Sequence, residues 1–406
     1  MNDYAIRVVE PDGYRAANDV FHGSLQVKPV SDEHWPNLVG SYEPGRTYSA
    51  FHGDEQVGTT ASFASELLVP GGALLPMAMV SRVGVRSDHT RRGVLTSLMR
   101  AQLTGLAEPI ATLRASEGVI YGRFGYGVAT RGRSIRVNRA RAIGHPGAPT
   151  GGRVRIVAID DAMDLMPAIY ARFGPGRPGW VSRSGIWWDM TRFYASLFSK
   201  SPVVFAVHHG PDGDDGFAVY SVTRADWEQP NPRSVLHVED FMAFTTDAWA
   251  GLWRFLLSVD LVHDVKAHLR PLDEPVEQLF VDNRAVDTLG IDDETWLRLV
   301  DVPSALAARS YGELSRDAGS VVIEVRDALL PANSGRYRLG DGPAVPVGEP
   351  AELLLDVADL GALYLGDIAP SALAATGRLT AEKADAVSVA DRLFAIAESP
   401  WCGSYF

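Results

Sequence analysis

Residues Val80 to Tyr126 constrain the chain more than any other stretch. Val80–Val85 reads as a strand, Arg86–Gly93 as a loop ending Thr-Arg-Arg-Gly, and Val94 to about Leu106 as a helix. The helix is predicted because apolar residues at 94, 95, 98, 99, 103 and 106 recur near the helical period. Ile110–Ala115 reads as a second strand, followed by Ser116-Glu-Gly-Val-Ile-Tyr-Gly-Arg-Phe-Gly-Tyr126. Arg91 and Arg92 stand beside Gly93 at a helix N-terminus, where free amide N–H groups and the positive dipole end favour a phosphate-bearing ligand. An ordinary connection with solvated arginines would use the same residues.

A chain of 406 residues carries a prior of roughly two to four domains and more than one core. Its 46% hydrophobic and 22% charged residues place it among soluble globular proteins. No run approaches the ~18 apolar residues that span a bilayer, and Met1–Arg7 lacks a basic-then-apolar signal pattern, so a cytoplasmic location and no membrane partner are expected. The single cysteine, Cys402, excludes an internal disulfide framework and thiol-rich metal sites. It could be a nucleophile; a packed or exposed thiol is the plainer reading. A net charge of −12 argues against nucleic acid as the main partner and suits cationic small molecules, although solubility accounts for it equally well. The ten histidines show no His-Glu-x-x-His or other tight ligand spacing, so no metal is expected, and His208-His209 reads as a solvated hairpin pair.

In chain order, Val20–Ser24 falls in an early helical region, and Thr47–His52 and Gln56–Ser65 form a hairpin around Gly53-Asp54. Gly127–Val137 continues as strand, and Arg139–Gly152, rich in glycine and proline, is the best linker candidate. The middle segment reads as strand 154–157, helix 161–172, an irregular loop 173–180, a hairpin of 203–208 with 216–223, strand 234–244, helix 246–257 and strand 262–269. That order echoes the first domain, but Thr245-Thr-Asp247 stands where the basic glycine loop stood, and its aspartate would repel phosphate. The last segment begins near Asp292. It mixes helices at 304–309 and 388–396 with strands at 321–325, 335–339 and 351–356, and helical or mixed stretches at 360–365 and 371–375. Trp401, Tyr405 and Phe406 make an aromatic tail that is expected to be tucked into apolar surroundings.

Strand, basic glycine loop, helix, strand and then Tyr-x-x-x-Gly-Tyr resembles the acyl-CoA half of the GNAT-superfamily N-acetyltransferases. The resemblance implies that the amides of Arg91, Arg92, Gly93 and Val94 hold the pyrophosphate of acetyl-CoA, with Ser97 one turn on. It implies that Val83 and Val85 hold the pantetheine arm, and that Tyr121 sits near the thioester sulfur. Thr90 and Leu95 depart from the superfamily loop, in which a basic and a small residue are usual.

Acetyl transfer to an amine requires a polarised carbonyl, a base for the ammonium proton and an acid for the leaving thiolate. Strand amides at Val83, Gly84 and Val85 suit the first need. Tyr121 suits the last, since a hydroxyl of pKa ~10 is matched to a thiolate; a core aromatic in a turn is its plain alternative. Ser116 would line the adjoining channel, and Phe21 and Trp35 are candidates for the acceptor pocket. Tyr126 reads as packing. No carboxylate of the first domain stands out as the base; Glu117 is nearby, and capping or turning the chain is its plainer reading.

The three-part layout resembles the enhanced intracellular survival (Eis) family over essentially the whole chain. The residues that carry it are His89-Thr-Arg-Arg-Gly-Val-Leu95, Ala115–Tyr126 and the aromatic end at Phe406. It implies an α/β (α+β) architecture of tandem GNAT-like domains and a sterol-carrier-protein-like C-terminal domain: residues 1–145 acetyltransferase, 153–290 a degenerate GNAT-like domain, and 292–406 the sterol-carrier-like domain whose terminus enters the active site. It also implies acetyl-CoA as co-substrate, Tyr121 as general acid, the Phe406 carboxylate as general base, a homo-hexamer, and multi-amine acceptors such as aminoglycosides, polyamines or lysine side chains. Tyr405 stands where drug-acetylating members carry a carboxylate. Gly23, Ser24 and Gln26 follow Phe21 where an acidic side chain is expected, and Arg82 and Arg114 add positive charge. A non-catalytic acyl-CoA binder and a lipid carrier are the competing classes.

Overall fold

The structure is a computed structural model that describes residues 4–197, 201–224, 233–315, 317–340 and 342–406. The chain divides into two compact units. One takes residues up to Thr130, Thr295–Pro400 and Tyr405–Phe406; the other takes Arg131–Glu294 and Trp401–Ser404.

The first unit opens with β1 (Ala5–Val8), α1 (Tyr14–Ser24) and α2 (Trp35–Val39). β2 (Thr47–His52) and β3 (Glu55–Leu68) form the expected hairpin, with Gly53 supplying φ 63° at its turn. β4 (Leu74–Val85), α3 (Val94–Gly105), β5 (Ile110–Leu113), α4 (Gly118–Tyr121) and β6 (Gly127–Asn138) follow, and β6 leads into the second unit. β1 to β4 are antiparallel neighbours, and β4 is parallel to β5. α3 seats on the sheet because Gly58 lacks a side chain: a Cβ there would lie 2.9 Å from both Val94 and Leu98. Burying Leu98, Met99 and Leu103 is worth about 1.5–3 kcal/mol each, which holds the strand–helix–strand frame behind its loop.

The second unit contains β7 (Arg153–Val157), α5 (Ile159–Phe173), α6 (Gly185–Leu197), β8 (Val203–Gly210), β9 (Gly213–Thr223), β10 (Val235–Ala243), α7 (Thr246–Ser258), β11 (Asp264–Arg270) and the start of β12 (Val286–Leu299). β7 to β10 are antiparallel and β10 is parallel to β11. The crossover through α7 therefore repeats the one through α3. Neither α6 nor the length of β12 was expected. The glycine- and proline-rich stretch 139–152 is pinned rather than slack: His145 N–H donates to Leu279 O at 2.8 Å, and Val281 N–H donates to Ile143 O at 2.9 Å.

In the first unit, Trp296–Leu299 of β12 pairs antiparallel with β5. The chain continues as α8 (Val302–Ala308), β13 (Val321–Arg326), β14 (Gly335–Gly340), β15 (Gly342–Pro346), β16 (Leu353–Asp356), α9 (Val357–Leu363), α10 (Pro370–Ala375), β17 (Leu379–Ala381) and α11 (Ala386–Phe394). The second sheet runs β15-β14-β13-β16-β17. Asp301 and Asp356 cap α8 and α9 by accepting from Ser304 N–H and Ala358 N–H. Among the described residues no helix is long and apolar enough to cross a membrane.

Candidate active site

β4 parts from its neighbours where the site forms. It pairs with β5 only over Met77–Met79, yet runs on to Val85. Against β3 the register shifts between Thr59–Gly84 and Ala61–Ser81, so Arg82 and Val83 together oppose Thr60 in a bulge, with Arg82 at φ 52°. Beyond Met79 the β5 edge of β4 has no strand partner among the described residues, and such an edge can take an extended amide-bearing chain. Val83 and Val85 turn their side chains into apolar clusters with Met99 and with Leu98. What they and Gly84 offer a ligand is therefore backbone.

The loop after β4 has the backbone geometry an anion cradle requires. Gly93 takes φ 82° at the N-cap of α3 and no side chain caps that helix. Arg91 is also left-handed, at φ 60°. Left-handed residues alternating with ordinary ones turn successive N–H groups to one side. Val94 buries its side chain and contributes only its amide. Arg86 is neutralised by Glu55 and Asp88, whereas among the described residues Arg91 and Arg92 are exposed with no ionic partner. Ser97 is half-buried one turn on, its N–H bonded to Gly93 O at 3.0 Å.

Tyr121 ends α4 and is 5% exposed, packed with Met99, Leu103 and Leu113. Burial, the largest influence, raises its hydroxyl pKa above the ordinary range; a hydrogen bond with Ser116 opposes the rise and the Glu117 charge adds to it. Its proton is therefore held more tightly than that of a solvated tyrosine. Glu117 is exposed before α4 and does not cap it. Gly125 explains the spacing to Tyr126. It takes φ 85°, and a Cβ on it would lie 2.7 Å from the Arg298 guanidinium. Tyr126 is buried, so it is packing, as expected.

Gly84 also draws α1 against β4, since a Cβ there would lie 3.2 Å from Phe21 Cα. Phe21 thus sits beside the bulged strand. Trp35 belongs to a separate aromatic group: its ring lies 6.1 Å from Tyr42, over which Arg82 lies at 3.9 Å. Arg82 donates to Ser41 O at 3.1 Å and to Ser41 Oγ at 2.5 Å, so its charge is held among aromatic rings. At the end of β5, Arg114 lies 5.1 Å from the Tyr405 ring centroid and 5.8 Å from that of Phe406. Tyr405 is 78% exposed, against the expectation of an apolar seat, because its ring lies against a guanidinium at the surface; Phe406 is half-buried.

Residues 401–404 pack in the second unit. Trp401 indole N–H donates to Leu269 O at 2.6 Å, and Cys402 and Gly403 N–H donate to the two Glu294 oxygens at 3.0 and 2.8 Å. Cys402 is 1% exposed with its thiol directed at Ser404 O, which suits packing and not nucleophilic attack.

The crossover of the second unit begins differently from that of the first. Thr245 caps α7 by accepting from Ala248 N–H at 3.0 Å, and Asp247 accepts from Gly151 N–H at 3.2 Å. His208 is fully buried, contrary to its reading as solvated: Nδ1 meets Asp215 at 2.6 Å and Nε2 meets Gly151 O at 3.2 Å. Sequence reasoning passed over Glu294 and Arg298. Their signal is a pair of charges in an otherwise strand-like run around Trp296, where a buried charge implies a dedicated partner. Among the described residues no group of three or more His, Cys, Asp or Glu is placed to hold a metal ion.

Sequence profiles of the GNAT acetyltransferase domain match residues 5–129 and 179–299, and that of the sterol carrier protein domain matches 302–403. An uncharacterised N-acetyltransferase of Streptomyces avermitilis is 36% identical over 98% of this chain and 98% of its own. N-acetyltransferase Eis of Mycobacterium tuberculosis is 35% identical over 84% of each chain. The crystal structure of Eis1 from Mycobacterium abscessus superimposes with TM-score 0.88 at 35% identity, covering 99% of this chain and all (100%) of that one.

Proposed function

The chain belongs to the Eis family of GNAT N-acetyltransferases, and from that premise we propose that it acetylates amines of a multi-amine molecule, such as an aminoglycoside, a polyamine or a lysine side chain. Acetyl-CoA is the donor, Tyr121 the general acid and the carboxylate of Phe406 the general base. The observation that carries this reading is the edge of β4 beyond Met79, without a strand partner among the described residues, leading into the uncapped, arginine-flanked start of α3. An extended arm with amides fits the first and a pyrophosphate fits the second.

Acetyl-CoA supplies the activated acetyl group. A backbone N–H of the Val83–Val85 stretch would stabilise the negative charge that develops on the carbonyl oxygen as the amine nitrogen bonds to its carbon. The Phe406 carboxylate takes the proton that the nitrogen loses. Tyr121 gives its proton to the sulfur as the carbon–sulfur bond breaks, and recovers one from solvent through Ser116. Arg91 and Arg92 hold the diphosphate by charge. The family reading also carries a homo-hexamer, which the mass of the particle in solution tests.

A panel of aminoglycosides, polyamines and lysine peptides, assayed with acetyl-CoA by free-thiol release, tests the proposal. Amine-dependent thiol release with a matching rise of 42 Da per acetyl group on the acceptor, about the mass that replacing one N–H by N-acetyl adds, is expected. Stabilisation by fatty acids with no thiol release from any amine would favour a carrier and overturn it.

A further inference from the structure

We infer that Glu294 and Arg183 are positioning residues for the base: they fix the chain immediately before Phe406 and so set where its carboxylate lies. This rests on the reading of that carboxylate as the base. Glu294 is 1% exposed and spends both oxygens on consecutive backbone N–H groups, those of Cys402 and Gly403. The Arg183 guanidinium is 0% exposed; Nε donates to Ser404 Oγ at 2.9 Å and Nη2 to Gly403 O at 2.9 Å. Its other bonds go to Asp240, at 2.7 and 3.1 Å, which balances the charge. Gly403 makes the turn at φ 62°, where a Cβ would collide with the Trp401 ring.

Apolar packing alone would keep an aromatic tail attached. Buried charges add little net stability, and their best-attested use is to fix register. Here they fix atoms of residues 402–404, just ahead of the terminal carboxylate. Two extended residues reach at most about 7 Å, so anchoring Ser404 confines that carboxylate to a small volume. A general base must come within roughly 2.6–3.2 Å of its proton, and a tail free from Trp401 onward would meet that condition only part of the time.

The test is Glu294→Gln, which keeps the side-chain volume but turns an amide N–H₂ toward one of the two backbone donors, alongside Arg183→Lys and a chain extended by one glycine after Phe406. Glu294→Gln is expected to lower kcat roughly 10- to 100-fold with KM for acetyl-CoA within about twofold. Its rate should keep rising with pH toward the acceptor amine's own pKa, and carboxypeptidase should release Phe406 faster than from the parent. If the extended chain loses activity while Glu294→Gln and Arg183→Lys retain full kcat and the parent pH profile, the positioning role is overturned. If the extended chain keeps full turnover, the base reading itself fails, and with it any positioning through that carboxylate. Ser404→Ala, which removes only the hydroxyl that accepts from Arg183, carries the same test at smaller amplitude should Glu294→Gln not fold.

Discussion

The guanidinium carbon of Arg114 stands 5.1 Å from the ring centroid of Tyr405. Positive charge therefore lies beside the last two residues, where the base is proposed to act. At about 10 Å and an effective dielectric constant of roughly 20–80, one such charge changes the approach of a cation by about 0.4–1.7 kcal/mol. Arg114→Gln is expected to raise kcat/KM for a polyamine roughly two- to tenfold relative to a singly charged amine. The gain should shrink in high salt. Equal effects on both acceptors would separate Arg114 from substrate charge selection.

Tyr121 is expected to set the alkaline limit of turnover. A general acid must be protonated, and burial moves this hydroxyl above its ordinary value of 10.0. The falling limb of kcat against pH should therefore lie above 10, with no loss between about pH 7 and 9. Tyr121→Phe keeps the packed ring and removes the proton. It should cost on the order of 10- to 100-fold in kcat with little change in acetyl-CoA affinity. Unchanged turnover in that variant would remove Tyr121 as the acid.

The elements that frame the proposed cofactor half were legible in the sequence because they are local. Loop, helix and turn lie within Val80–Tyr126, and the spacing of apolar residues and glycines encodes them directly. Glu294 and Arg298 were not legible. Each acts on residues remote in sequence, Glu294 on Cys402 and Gly403 and Arg298 on Asp327, and no local pattern names such partners. His208 failed for a related reason. A histidine in a hairpin looks solvated until Asp215 and the Gly151 carbonyl close over it. The bulge at Arg82 was hidden too, since β-strand alternation says nothing about where a ladder slips.

The loop should act on acetyl-CoA binding and not on chemistry. Arg91→Ala and Arg92→Ala each remove an exposed charge with no internal partner among the described residues. Each is expected to raise KM for acetyl-CoA roughly 5- to 20-fold at low salt while kcat at saturation holds. The difference should fade near 1 M salt, where the Debye length is about 3 Å. A fall in kcat at saturating acetyl-CoA would place these arginines in the chemical step.

One CoA per chain is the expected stoichiometry, although the GNAT fold occurs twice. In the second unit Thr245 caps α7 and Asp247 takes the Gly151 amide, so the start of α7 carries a capping side chain and a carboxylate where α3 has neither. Calorimetric titration should give a single site that the Arg91→Ala, Arg92→Ala double variant weakens. A second equivalent that survives in that variant would locate binding at α7.

The frame behind Tyr121 should depend on the buried pair of Arg298 and Asp327. The Arg298 side chain is 0% exposed and donates to Asp327 at 2.5 Å, and Asp327 also accepts from Asn333 Nδ2 at 2.9 Å. The guanidinium fills the space left by the missing side chain of Gly125, at the end of the turn that begins with Tyr121. Removing one partner leaves the other charge buried and unpaired, which costs about 3–5 kcal/mol, while removing both costs less. Asp327→Ala is therefore expected to lower the denaturation midpoint more than an Arg298→Met, Asp327→Leu double variant does. Urea unfolding checks this, provided the slope stays constant. A single-variant loss below about 1 kcal/mol would mean that water reaches Arg298 and that the pair does not brace the turn.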